Sequence, residues 1–317
     1  MIMEQQIKTG TAGRVKKASM QTMKKNKLIF FCTMVALPVL QFLVFYLYIN
    51  FQSFALAFQE YSFDEGGYIF AGIKNFGQIF QDFQTEKILR SSIINSLSLF
   101  FWTFIFGSIV SVLFSYYIYK KRFGSTAFKI LLYLPHILGG VVVVIMYKFF
   151  MEDAVPTIAG LFGVEGMRGL LSNPETKRTT IIFFTIFISF GPRVLVYSSA
   201  MSGISESIIE SAQLDGVTPF KELILIVLPS IWNTFVTFMV SAVVGIFTNQ
   251  MALVTFYGMG AEASLYTFGY YLYRGAKVGT NVDYPYLSAM GLLSTVVAVP
   301  VTLFTRWSLK KFGPSRE

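Results

Sequence analysis

The sequence predicts an all-α protein that crosses a lipid bilayer about six times. Of its 317 residues, 54% are apolar and only 14% are charged, whereas a soluble domain carries about 25% charged residues. Several uncharged apolar runs are each about 20 residues long, which is enough to cross a hydrocarbon core of ~30 Å. A lone segment in lipid must satisfy its own backbone hydrogen bonds, so each run predicts a helix. The alternating pattern of a membrane β-barrel is absent.

The first apolar run, Leu28 to Ile49, follows the basic segment 1–27. A cleaved signal peptide has an apolar stretch of only roughly 7–15 residues and a small-x-small cleavage site. This run is longer and continues into aromatic residues, so it predicts a retained membrane anchor. The remaining predicted spans are 93–118, 128–149, 179–201, 226–248 and 285–305.

The segments between the spans also carry predictions. Residues 50–92 are too many for a simple turn, and their aromatic residues and Gly66-Gly67 predict a small ordered cap with interfacial helices. Residues 93–312 would form a five-helix permease core that contains a loop at 205–229, followed by a short tail at 313–317.

The distribution of charge predicts the orientation in the membrane. If the N-terminus is inside, most lysines and arginines fall in inside segments, although the outside segments are longer. This is the positive-inside pattern, so both termini are expected in the cytoplasm. The same distribution explains the net charge of +9. A nucleic-acid-binding protein would instead carry its basic residues as a stripe on a soluble fold. One cysteine and one histidine cannot build a disulfide framework or a Cys/His metal cluster.

The most specific motif lies between the fourth and fifth predicted spans, at residues 205–229, named here the elbow. Gly216 should end a first helix there, because backbone with φ > 0 is favourable only for glycine. Pro219 suits the first turn of a second helix, and Pro229 marks the start of span five. The pattern therefore predicts a helix, a break and a second helix at the membrane surface.

The first helix of the elbow should begin with a cap and present a docking surface. Ser205 or Ser207 can cap it, and Glu210 would complete a capping box with Ser207. The acidic side chains of Glu210 and Asp215 offer charge to a partner. The small side chains of Ser211 and Ala212 allow the partner to approach closely.

The spacing in the elbow resembles the EAA loop of the membrane subunits of bacterial ABC importers. It reads Glu210-Ser211-Ala212, three residues, Gly216, nine residues, then Ile226-x-Leu228-Pro229, and it departs from the family only at Ser211, where alanine is usual. The Asp215-Gly216 pair and segment 70–76 are similar to the sugar-uptake subgroup. The basic ending after span six resembles the first permease subunit of maltose and glycerol-phosphate transporters. The resemblance covers roughly residues 28–312.

The resemblance implies a multi-pass, non-catalytic permease subunit of a sugar or oligosaccharide importer in the bacterial cytoplasmic membrane, carrying half of the translocation path. Its partners would be a second, distinct permease subunit, a cytoplasmic ATPase dimer docked on the elbow, and an extracytoplasmic solute-binding protein. The chain contains no Walker A pattern, so ATP-Mg would be bound by the partner ATPase. The implied coupling residues are Glu210, Ser211, Ala212, Asp215, Gly216 and Pro229.

Arg193, beside Gly191-Pro192, is the only charged residue in the interior of a predicted span. A charge at the bilayer centre costs about 2.5–3.5 kcal/mol or more, so Arg193 predicts a role in the path or a gate. The alternative is a side chain that snorkels or pairs with a neighbouring subunit. Further candidates for the sugar path are Thr185, Ser189, Asn249 and Gln250, together with Tyr197, Tyr257 and Asn95. For these, the alternative is interhelical hydrogen bonding.

Other functional classes fit the sequence less well. An ion-driven secondary carrier for a small polar solute is the main alternative. Carriers usually place carboxylates or half-helix breaks at mid-bilayer in paired positions, but no Asp or Glu lies within a predicted span. A membrane-embedded enzyme lacks a nucleophile–base or metal constellation. A channel lacks a filter-like repeat.

Overall fold

The computed structural model describes residues 25–314, so most of the predicted basic N-terminal tail and residues 315–317 lie outside the described part. Four helices are long and apolar enough to span a membrane: α1 (Lys25–Leu56), α3 (Lys87–Tyr119), α6 (Pro174–Ser202) and α12 (Asp283–Phe312). Two bent pairs pass the same test together: α4 (Ser125–Ile137) with α5 (Gly140–Leu161), and α8 (Pro219–Ser230) with α9 (Trp232–Thr248). Counting each pair as one span gives six, and the all-α class is confirmed.

The shorter elements connect these helices. They are β1 (Gln59–Ser62), β2 (Gly67–Phe70), α2 (Lys74–Thr85), α7 (Glu206–Leu214), α10 (Leu253–Tyr257) and α11 (Phe268–Val278). Strands β1 and β2 pair antiparallel, with Glu60 opposite Ile69. We name the two ends of the bundle after what they carry, the hairpin end and the elbow end.

The predicted cap is a β-hairpin followed by a helix. Gly66 makes the hairpin turn with φ +63°, a conformation that glycine adopts without steric cost. The buried Asn75 amide of α2 donates to the carbonyl oxygens of Ala57 and Gln59, at 2.9 and 2.8 Å. These two bonds fix α2 to the backbone that leads into β1.

Several helices are longer than the predicted spans. Helix α3 begins at Lys87 rather than residue 93, and α12 covers 283–312 rather than 285–305. Hydropathy detects only the stretch that lies in lipid, whereas a helix continues into water for as long as its backbone hydrogen bonds and packing persist.

The predicted third span, 128–149, is broken rather than continuous. Helix α4 ends at Ile137, Leu138 is extended with ψ 145°, and α5 restarts at Gly140 at an angle of 103°. Gly139 and Gly140 have low helix propensity, and Pro135 removes a backbone donor one turn earlier. The fifth span is also bent, by 73°, between α8 and α9.

Most of the apolar helix α1 is exposed, and its last part, 49–56, contacts α12. None of its most apolar 18-residue window is buried within the chain. By contrast, the core of the bundle is the long interface between α3 and α6. An apolar cluster at the elbow end joins these two helices to α8 and consists of Val112, Tyr197, Met201, Leu223, Val227 and Ile231.

Candidate coupling site and transport path

The elbow is an ordered helix–break–helix. Helix α7 stops at Gly216, whose φ is +71°. The Val217 N–H donates to the Ala212 carbonyl at 3.0 Å, and the Gly216 N–H donates to the Gln213 carbonyl at 3.1 Å. This pair of bonds is the Schellman motif, which satisfies carbonyl groups at a helix end and requires a left-handed residue. Pro219 then occupies the first turn of α8.

The predicted capping box is wrong. Ser205 occupies the N-cap position of α7, but its side chain makes no capping hydrogen bond. Its hydroxyl lies 2.8 Å from the Ser207 hydroxyl, so the two serines pair with each other. The Ser211 hydroxyl donates to the Ser207 carbonyl at 2.8 Å. The helix start is therefore held by local serine contacts instead of a reciprocal Ser–Glu cap.

The elbow has a buried face and an exposed face. Ile209 and Ala212 are buried. The side chains of Glu210, Ser211 and Asp215 are exposed. Large apolar side chains of the elbow are also exposed, most of all Leu214 at 89% and Phe220 at 70%. Exposed apolar side chains grouped with charges are typical of a surface that binds another protein.

A buried carboxylate in the elbow was missed by the sequence reasoning. Glu222 of α8 is only 2% exposed, and its two carboxylate oxygens lie 2.6 and 2.9 Å from Nζ of Lys120, at the end of α3. The Tyr116 hydroxyl lies 3.2 Å from Glu222 Oε1 and 3.1 Å from the Pro219 carbonyl oxygen. The sequence signal was an acidic residue directly before the apolar run 223–228, but its partner lies 102 residues away.

Arg193 contacts α3. Its Nη1 donates to the Thr103 carbonyl at 3.1 Å. Gly107 makes room for the guanidinium, since a Cβ there would lie 2.6 Å from Nη1 and 3.8 Å from Ser189 Oγ. The structure thus brings two of the predicted path residues, Arg193 and Ser189, to one place on the α3–α6 interface. Tyr197, one turn further along α6, is fully buried. Its hydroxyl has no hydrogen-bond partner among the described residues.

The other path candidates are bonded mainly to nearby backbone. The hydroxyls of Thr185 and Ser189 donate to carbonyls in their own helix, at 2.9 and 2.7 Å. Asn249 accepts from the Met251 N–H at 2.7 Å and so shapes the turn after α9, where Gln250 also lies. These bonds leave acceptor capacity on each hydroxyl and donors on the Asn249 amide. Their role in the path stays a prediction.

Asn95 and Tyr257 have longer-range partners. The Asn95 amide donates to the carbonyl oxygens of Ser264 and Tyr266, at 2.8 and 2.9 Å, and ties α3 to the loop before α11. The Tyr257 hydroxyl lies 3.5 Å from the Leu171 carbonyl oxygen. Burial, more than its acidic neighbours Glu152 and Glu262, raises the pKa of Tyr257 to about 12.

With this geometry established, the family can be assigned. Residues 103–316 match the family described as "Binding-protein-dependent transport system inner membrane component". The chain belongs to this family. The matched region includes α3 from Thr103, the whole elbow and α12. The inner-membrane location predicted from the sequence is confirmed, and so is the resemblance stated from the elbow.

Several known proteins are similar to this inner membrane component over most of its length. The probable ABC transporter permease protein YurN of Bacillus subtilis is 23% identical over 92% of this chain and 99% of its own. The multiple sugar-binding transport system permease protein MsmF of Streptococcus mutans is 20% identical over 88% and 95%. The arabinooligosaccharides transport system permease protein AraP of B. subtilis is 22% identical over 97% of both chains.

A solved structure shares the fold. It is described as a bacterial ABC transporter involved in the import of the acidic polysaccharide alginate. The TM-score is 0.75 at 22% identity, over 92% of this inner membrane component and 99% of that chain. A second structure, of an alginate transporter with a pentasaccharide-bound periplasmic protein, gives a TM-score of 0.72.

Proposed function

We propose that this chain is a permease subunit of an ABC importer of a sugar or oligosaccharide, and that it couples to a cytoplasmic ATPase through the elbow. The observation that carries the coupling role is the elbow itself, an ordered helix–glycine–helix that displays Glu210, Asp215 and exposed apolar side chains. The relatives named for multiple sugars and arabinooligosaccharides support the substrate class.

The proposed partners follow from the family and from exposed surfaces. A solute-binding protein delivers the substrate, as the family description indicates. A second, distinct permease subunit completes the path, in keeping with the resemblance of the basic ending after span six to a first permease subunit. A separate ATPase dimer binds ATP-Mg and hydrolyses it, since this chain has no Walker A pattern. Both termini face the cytoplasm, as the total excess of Lys and Arg in the inside segments predicts, and the alternation of six spans then puts the elbow on the same side.

In the proposed mechanism, the elbow works as a lever. The Schellman turn at Gly216 holds α7 and α8 at one angle, because its backbone bonds leave little freedom. Helix α8 is attached to the bundle by Leu223 and Val227, which belong to the apolar cluster at the elbow end. When the ATPase dimer closes on the exposed face, the displacement passes into the helices that follow and precede the elbow, α9 and α6. The path then opens alternately to the two sides of the membrane.

Charge reversal on the exposed face tests this proposal. The chain is reconstituted in liposomes with its partner permease, the ATPase and the binding protein, and uptake of labelled sugar is measured with and without ATP. Glu210→Lys and Asp215→Lys should insert normally and lose ATP-driven uptake, because they place the wrong charge in the docking surface. Lys121→Glu is the matched control, an exposed charge reversal at the same end of the bundle.

Two results would contradict the proposal. Native uptake in Glu210→Lys and Asp215→Lys would remove the elbow from coupling. Uptake by the native chain alone, driven by a proton gradient without ATP or binding protein, would identify an ion-driven carrier instead.

A further inference from the structure

Glu222 is the buried carboxylate of the elbow. The other acidic side chains of the elbow, Glu206, Glu210 and Asp215, are exposed, whereas Glu222 is 2% exposed. An ionised carboxylate in such a place is tolerated only when it is paired and hydrogen-bonded. Lys120 supplies the opposite charge, since its Nζ lies 2.6 and 2.9 Å from the two oxygens.

The ion pair connects the elbow to the end of α3. Glu222 lies in the second helix of the elbow, and Lys120 lies directly after α3. Tyr116, one turn before Lys120, adds a third contact, because its hydroxyl lies within hydrogen-bond distance of both Glu222 and the Pro219 carbonyl oxygen. We name Glu222, Lys120 and Tyr116 the clamp.

The clamp differs in kind from the apolar packing beside it. Leu223 and Val227 of α8 pack with Val112 of α3 in the apolar cluster at the elbow end. Apolar contacts are non-directional and allow sliding between helices. The clamp instead consists of charge-assisted hydrogen bonds between particular atoms, and such bonds weaken steeply when their distance or angle changes. The apolar cluster can thus hold the elbow on the bundle while the clamp sets where α8 lies along α3.

We propose that the clamp transmits the movement of the elbow to α3, so that Glu222 and Lys120 are positioning residues for coupling. This inference rests on the proposed function. The elbow is joined to α6 and α9 through the backbone, but it reaches α3 only through side chains. Because α3 packs along α6 and contacts Arg193, movement of α3 would change the α3–α6 interface where two of the path candidates lie.

The test measures coupling rather than activity alone. In the reconstituted complex, the amount of sugar imported per ATP hydrolysed is compared between the native chain and Glu222→Gln or Lys120→Met. Coupling between two sites usually corresponds to factors of 5–150, so we expect a fall of roughly tenfold in this ratio. The ATPase should still co-purify in native amount, because Glu222 is not on the exposed face. Lys121→Met, at the exposed neighbouring lysine, is the control and should keep the native ratio.

Two double variants separate transmission from support of the fold. The charge swap Lys120→Glu with Glu222→Lys should restore most of the native ratio, since the pair is rebuilt with its polarity reversed. Replacing both residues by methionine should keep assembly, because apolar replacement of a buried ion pair is often neutral for stability. The methionine pair should nevertheless retain the low ratio. It also serves as the test if Glu222→Gln fails to assemble.

Failure of the clamp inference can be distinguished from failure of the proposed function. If the native chain shows no ATP-dependent uptake, the proposed function fails before the clamp is tested. If native uptake is ATP-driven but the methionine pair keeps the native ratio, the clamp only supports the fold and the inference is overturned. A charge swap that assembles but stays uncoupled would also overturn it.

Discussion

The crossing of α4 and α6 depends on the absence of a side chain at Gly191. A Cβ built there would lie 2.7 Å from the carbonyl oxygen of Leu132 and 3.2 Å from Cα of Tyr133. Both are backbone atoms, so no side chain can rotate away to relieve the overlap. An ordinary C···O contact is roughly 3.3 Å, and Gly191→Ala therefore requires α4 to move by about 0.6 Å.

A second glycine in a spanning helix allows the energy of this overlap to be isolated. Gly245 of α9 has no atom within 4 Å of its would-be Cβ. Alanine gains about 0.8–1.0 kcal/mol over glycine in a helix interior, and this gain is smaller at Gly191, because a Cβ directly before Pro192 disfavours the helical conformation. Only Gly191→Ala adds overpacking, which typically costs 1–3 kcal/mol. The two variants should thus differ by about 1–3 kcal/mol, with Gly245→Ala the more stable.

The measurement is the unfolding free energy of the purified chain in mixed micelles, titrated with a denaturing detergent and followed by helix content. The native chain should fall between the two variants or close to Gly191→Ala. If the variants differ by less than about 0.5 kcal/mol, the limit at which independent sites are usually additive, the close approach does not constrain the α4–α6 crossing and the reasoning fails.

Three further predictions concern single residues. Asn95→Ala should lower the free energy of unfolding by about 1–3 kcal/mol in the same assay, because the carbonyls of Ser264 and Tyr266 lose their donor. An unchanged free energy of unfolding would mean that water replaces the amide without penalty. Arg193→Met should insert normally and have a free energy of unfolding at least as high as that of the native chain, since removal of a charge from the bilayer relieves about 2.5–3.5 kcal/mol. The variant should nevertheless lower sugar uptake. Native uptake would exclude Arg193 from the path. Gly216→Ala should strain the elbow by about 1–2 kcal/mol and reduce ATP-driven uptake more than Gly216→Asn; equal effects would argue against a backbone origin.

The sequence predicted the parts of the fold that depend on local chemistry. The uncharged run of α1 and the glycine break at Gly216 follow from the transfer energy of residues into lipid and from backbone preference, and neither requires knowledge of a neighbour. The capping box failed because three serines lie close together near the start of α7, and their hydroxyls have competing partners. Which partner each hydroxyl bonds depends on distances and angles in the folded chain, and the order of residues alone does not give these.

The break between α4 and α5 was missed for a different reason. Hydropathy over 128–149 is uniform across Gly139-Gly140, so a window sees one span. A membrane helix can bend sharply at such a site only if neighbouring elements satisfy the freed backbone groups. Gly139, Gly140 and Pro135 favour a break through helix propensity and a missing donor, neither of which a hydropathy window weighs. The angle of 103° at the break depends on packing that the sequence does not contain.

A lever transmits force only if it is stiff within itself and attached at more than one point. The elbow meets the first requirement through the Schellman bonds around Gly216. It meets the second through two attachments of different physical character, the apolar cluster and the clamp. Since an apolar contact is non-directional, whereas the hydrogen bonds of Lys120 and Tyr116 to Glu222 depend on distance and angle, the register of α8 along α3 is set at Glu222. A carboxylate that the sequence leaves without an evident purpose thus lies at the point where movement of the elbow would pass to α3.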